Sequence, residues 1–126
     1  MARILLIDDE APIRRFAAEI LQRSGHEVVT AADGRAGLQR LAEQPCDLII
    51  TDLIMPDKDG IETIVELRGR LSQVPIIAIS GGGLLNADDN LKIAKMLGAK
   101  ITLAKPFTGA QLLAAVQTLL GPKSEG

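Results

Sequence analysis

Short apolar runs alternate along this chain with longer stretches in which apolar residues recur every three or four positions. The runs are Ile4 to Ile7, Val28-Val29, Leu48 to Ile50, Ile76 to Ile79 and Ile101 to Ala104. Most lack polar alternation, the pattern of strands covered on both faces of a parallel sheet. Between them lie Phe16, Ala17, Ile20 and Leu21, then Leu38, Leu41 and Ala42, then Ile61, Ile64 and Val65. Leu91, Ala94 and Leu97 follow, and the last set is Leu112, Leu113, Val116, Leu119 and Leu120. Such spacing gathers side chains on one face of a helix. Punctuation agrees with it. Ser24-Gly25 and Gly98 read as helix exits and Pro12 as an early helical position. Asp33-Gly34, Gln44-Pro45 and Val74-Pro75 mark loops or boundaries. The alternation predicts five strand–helix units, an α/β sandwich built with right-handed crossovers.

Bulk properties narrow the class. The chain has 126 residues, 47% of them apolar and 24% charged, which suits one domain of the common size, roughly 100–150 residues. The reading is a domain over residues 1–120 and a polar tail or linker start over 121–126. Net charge is -2 and neither sign forms a long run, so direct nucleic-acid binding through a basic patch is not expected. The single Cys46 leaves no internal disulfide or multi-thiolate zinc site and reads as an inert, partly buried thiol. The apolar runs fall far short of the roughly 20 residues that span a bilayer. The first of them is also too short for a secretory signal. No membrane association is expected, and the cytoplasm is the expected location. With neither Trp nor Tyr, the chain offers no stacking platform for bases.

The informative polar residues sit at strand ends. Four of the five runs lead directly into a residue that can do chemistry: Asp8-Asp9, Thr51-Asp52, Ser80 and Lys105-Pro106. In an open parallel sheet the strand C-termini share one edge, and ligands bind there where the strand order reverses. If the first and third strands flank that point, three carboxylates, a hydroxyl and an ammonium converge. Clustered carboxylates repel one another and call for a cation. Magnesium is the natural one, since it takes hard oxygen ligands and keeps room for water and phosphate oxygens. Asp52 can act as a nucleophile and form an acyl phosphate. Asp8 and Asp9 can hold the metal, Lys105 can pair with a phosphoryl oxygen, and Ser80 can donate a hydrogen bond to another. Phosphoryl transfer needs mainly positioning and charge neutralisation, and this set supplies both.

Ile7-Asp8-Asp9-Glu10, the stretch from Asp52 through Met55-Pro56 to Gly60, Ser80, and Lys105-Pro106-Phe107 together resemble the receiver domain of two-component response regulators. The resemblance runs from about Ala2 to Leu120 and rests on four motifs in order, each after the appropriate strand. It implies a doubly wound, flavodoxin-like sheet of five parallel strands in the order 2-1-3-4-5 with five helices. By the same resemblance Asp52 takes a phosphoryl group from a sensor histidine kinase or histidine phosphotransfer protein. Asp8, Asp9, Asp52 and the backbone carbonyl of Ile54 bind Mg²⁺, Ser80 and Lys105 read the phosphoryl group, and the Lys105-Pro106 bond is cis. The output is a change in partner binding. Receivers often dimerise through the fourth-helix face, so a phosphorylation-dependent dimer stays open.

The sequence departs from that family at three places. Thr102 stands where an aromatic ring usually swings inward on activation. Coupling is then expected to run through Ser80 and the glycine-rich stretch Gly81-Gly82-Gly83, whose backbone is cheap to rearrange. Ile54, two residues past Asp52, cannot orient an attacking water, and slow self-dephosphorylation is expected. Two other classes compete with the receiver reading. An aspartate-nucleophile phosphatase usually carries a second acid where Ile54 stands, and a cap domain for which 126 residues leave no room. A degenerate receiver serving only as a scaffold is opposed by the intact acids, Ser80 and Lys105. His26, Asp57, Lys58, Asp59, Asp88 and Asp89 read as structural or solvated rather than as ligands.

Overall fold

A computed structural model describes residues 2–52, 74–80 and 98–120. Five strands form one parallel sheet: β1 (Arg3–Ile7), β2 (Glu27–Ala31), β3 (Leu48–Asp52), β4 (Ile76–Ser80) and β5 (Ile101–Ala104). Their order is β2-β1-β3-β4-β5, as the resemblance implies. Each apolar run of the sequence lies within one of these strands.

The expectation of five helices is corrected. Among the described residues there are three: α1 (Ala11–Arg23), α2 (Gly34–Glu43) and α3 (Gly109–Leu120). The periodic sets at Ile61 to Val65 and Leu91 to Leu97 fall outside the described residues. Ile54, the stretch Gly81 to Gly83 and residues 121–126 also lie outside the described residues.

Two cores, one on each face of the sheet, explain why the strands read as continuous apolar runs. Leu5, Ile7, Ile49, Ile76 and Ala78 pack with Leu38 and Leu41 of α2. Ile4, Leu6, Leu48, Ile50, Ile77 and Ile79 pack on the other side with Ala17 and Leu21 of α1 and Leu112, Ala115 and Val116 of α3. Ile4 to Ile7 are at most 1% exposed, and fully burying such a side chain contributes roughly 1.5–3 kcal/mol. A polar residue on either face of β1 would forfeit that.

The helix positions follow from the strand order. The chain steps from β1 outward to β2, then back across β1 to β3. Right-handed crossovers in opposite directions place α1 and α2 on opposite faces. The reversal opens a crevice between the C-terminal ends of β1 and β3.

Local chemistry fixes the helix ends. Pro12 lies in the first turn of α1, where its missing N–H costs nothing, and the chain leaves that helix through Gly25 at φ 95°. The Asp33 carboxylate caps α2 by accepting from the Ala36 N–H at 2.8 Å. At α3, Thr108 Oγ1 accepts from the Gln111 N–H at 3.0 Å while Gln111 Oε1 accepts from the Thr108 N–H at 2.9 Å. That is a reciprocal capping box. Gly37 lets α2 press onto β1, since a Cβ there would meet Ile7 Cγ1 at 2.8 Å.

Candidate functional site

The strand register sets the site. Ile7 pairs with Thr51, Asp52 with Ile79, and Ser80 with Ala104. Asp8 and Asp52 therefore stand side by side at the mouth of the reversal crevice, and Lys105 follows the last residue of β5. The backbone places Ser80 at the end of β4, one strand over from β3.

Asp8 is fully buried and Asp52 is 4% exposed. Oδ1 of Asp8 accepts the Glu10 N–H at 2.8 Å, and the Arg14 guanidinium donates to the Asp8 carbonyl at 2.6 Å. These contacts anchor the start of α1 to the end of β1. Oδ2 of Asp8 is buried without a hydrogen bond; its facing charge is the Lys105 ammonium, 3.3 Å away. Lys105 Nζ also donates to Asp52 Oδ2 at 2.8 Å and to Glu10 Oε1 at 2.5 Å. The Lys105-Pro106 peptide is cis.

The electrostatics follow from burial and pairing. Burial pushes the Asp8 carboxyl above its ordinary range, and the Asp52 charge adds to the rise. The Glu10 N–H and the Lys105 ammonium pull the other way without cancelling it. Burial alone would lower the Lys105 pKa, yet the hydrogen bonds to Asp52 and Glu10 outweigh it and hold the ammonium above its ordinary value. Lys105 is a fixed positive charge aimed at Asp52.

Asp8, Glu10 and Asp52 each bring a carboxylate oxygen to within 4.8 Å of the others. Three hard oxygens, with the buried Asp8 Oδ2 lacking a hydrogen bond, make a donor set that fits a divalent cation such as Mg²⁺. Asp9, expected among the metal ligands, has an exposed side chain and is not part of this cluster. Glu10 stands in it instead. Nothing in the periodicity singles out Glu10 or Arg14; the only signal is their position just after the paired acids. Thr102 is half-buried in β5, paired with Ala78. Phe107 packs against the core on the α1 and α3 side, and its ring lies 6.4 Å from that of Phe16, which is 45% exposed.

Comparison with known proteins decides the family. The sequence profile described as response regulator receiver domain matches residues 4–117. The chain belongs to this family. KdpE, the KDP operon transcriptional regulatory protein of Escherichia coli (strain K12), is 39% identical over 121 residues, or 95% of this chain and 52% of that protein. AfsQ1, a transcriptional regulatory protein of Streptomyces coelicolor, is 38% identical over 120 residues, with 95% and 52% covered. The chain spans about half the length of these curated relatives. The chemotaxis response regulator CheY4 of Vibrio cholerae superposes with a TM-score of 0.85 at 33% identity, over 94% of this chain and 98% of that one.

As a receiver, the chain is a phosphorylation-controlled signalling module and not a turnover enzyme. The phosphatase alternative is thereby set aside, and the acidic cluster is of the kind that holds Mg²⁺ in receivers. No helix among the described residues is long and apolar enough to cross a membrane.

Proposed function

We propose that Asp52 is the phosphoacceptor of this receiver and that a sensor histidine kinase or histidine phosphotransfer protein supplies the phosphoryl group. The observation that carries the reading is the Lys105 ammonium, 2.8 Å from Asp52 Oδ2 and 3.3 Å from the buried Asp8. A carboxylate nucleophile must approach an anionic phosphodonor, and a fixed cation beside it lowers that repulsion. Asp8 and Asp52 of the acidic cluster, beside Glu10 and together with Asp9 and the Ile54 carbonyl, would hold Mg²⁺, which when bound neutralises charge on the transferring group. A carboxylate oxygen of Asp52 bonds to phosphorus while the in-line bond from phosphorus to the donor's imidazole nitrogen breaks and the imidazole leaves. Lys105 then pairs with a phosphoryl oxygen, and Ser80, at the end of the neighbouring strand, donates to another.

The working domain is proposed to cover residues 1–120, with 121–126 a tail or linker start. Its output is a change in partner binding. Hydroxylamine cleavage tests the acceptor directly. After incubation with acetyl phosphate and Mg²⁺, an acyl phosphate yields a hydroxamate at one carboxylate, which peptide mass mapping locates. A hydroxamate at Asp52 supports the assignment, and one at another acid overturns it.

A further inference from the structure

Besides its place in the acidic cluster, Glu10 sets its carboxylate directly on the Lys105 ammonium. Glu10 occupies the N-cap of α1 with extended backbone (φ -90°, ψ 107°), yet its side chain makes no cap. A capping side chain usually contributes about 1 kcal/mol to a helix start. Glu10 instead reaches Lys105, 95 positions away in sequence, at 2.5 Å. The ammonium is thereby ringed by three carboxylates: Glu10, Asp52 at 2.8 Å and Asp8 at 3.3 Å. An ammonium has three donors and no more.

A phosphoryl group on Asp52 brings new oxygens that require Lys105. Two of its donors are held by Glu10 and Asp52 and the third only faces Asp8 Oδ2, so the new oxygens compete with the carboxylates already there. Asp8 is fully buried, so water cannot solvate its carboxylate in place of the ammonium. Asp52 carries the new group. The Glu10 side chain is 53% exposed, so water can solvate its carboxylate as soon as it lets go. The cost of release is therefore lowest at Glu10. We propose that Glu10 is a positioning residue for receiver phosphorylation, an exchangeable counter-anion that holds Lys105 in the resting site and is displaced by the phosphoryl group. This rests on Asp52 being the acceptor.

Glu10 thus opposes the phosphorylated state by the strength of a half-exposed ion pair. Its removal favours that state, and the effect needs Lys105. The test is a beryllofluoride titration of the full chain, read from amide shifts, at a Mg²⁺ concentration shown separately to saturate each variant. Glu10→Gln is expected to tighten beryllofluoride about two- to fivefold, within the range of an exposed ion pair. Added salt should narrow the difference. In a Lys105→Met background the same substitution should change affinity less than about twofold. In the wild-type chain, the Glu10 side-chain carboxyl ¹³C resonance should move on saturation to that of a solvated glutamate.

Unchanged or weaker binding by Glu10→Gln overturns the proposal, as does an unmoved Glu10 resonance in a wild-type chain that binds. Equal tightening with and without Lys105 also overturns it, because simple relief of repulsion would then account for the gain. A wild-type chain that ignores beryllofluoride, no differently from Asp52→Asn, removes the Asp52 assignment and this proposal together. The first three results leave that assignment standing.

Discussion

Lys105 and Asp52, separated by 53 positions in sequence, meet with the ammonium 2.8 Å from Oδ2 at the C-terminal edge of the sheet. The pair exists because β3 and β5 are parallel strands flanking β4, so residues just past their last apolar positions share one edge. It gives the buried carboxylates a fixed positive neighbour. It does not neutralise them, since one ammonium faces Asp8, Glu10 and Asp52.

The excess negative charge has a consequence for stability. Burial raises the Asp8 pKa above its ordinary 3.8. Between the unfolded and folded values the native protein binds the extra proton, so metal-free stability due to this group falls as pH rises through the window starting near 3.8. Asp8→Asn removes that slope. In metal-free buffer near neutral pH the variant should be more stable than wild type, because the folded state no longer holds this buried charge. It should also lose most of the stabilisation that Mg²⁺ gives wild type. Urea denaturation across pH, with EDTA or Mg²⁺, checks both.

The capping box of α3 offers a second test, away from the site. Thr108→Ala removes the acceptor for the Gln111 N–H and should cost about 1 kcal/mol. Thr108→Ser keeps the oxygen and should cost much less. Because α3 buries Leu112, Ala115 and Val116 on the sheet, the loss should appear in global unfolding by urea.

Cys46 lies in the core on the α2 side at 8% exposure, and burial raises its thiol pKa above the ordinary 9.0. The thiolate is the reactive form. In the native protein, reaction with a disulfide reagent at pH 8 should therefore run roughly tenfold or more below that of a free thiol. In denaturant it should rise to the free-thiol rate. Native reaction at the free-thiol rate would show that the thiol is not held in the core.

Much of the fold was legible because burial on both sides of a parallel sheet writes itself as unbroken apolar runs. The strand-end rule likewise led to Asp8, Asp52 and Lys105, which the structure brings within hydrogen-bond or ion-pair reach. Glu10 was not legible in that way. Its bond to Lys105 depends on how far a flexible side chain reaches across the edge, and periodicity carries no such information. Phe16 differs for a related reason. Helical spacing groups it with Ala17, Ile20 and Leu21, but only Ala17 and Leu21 are fully buried. Its ring leans on Phe107 at the rim, a contact between residues far apart in sequence. The close approach at Gly37 is equally silent in sequence, since a glycine in a helix reads first as a weak helix former.

The central claim is that Asp52 accepts a phosphoryl group in a site completed by Mg²⁺. Intact-mass measurement after acetyl phosphate treatment tests it most directly, with and without Mg²⁺, on the wild-type chain and on Asp52→Asn. The account predicts a labile gain of one phosphoryl group in the wild type, dependent on Mg²⁺ and lost in Asp52→Asn. No adduct under any condition, or an equal adduct in Asp52→Asn, would contradict it.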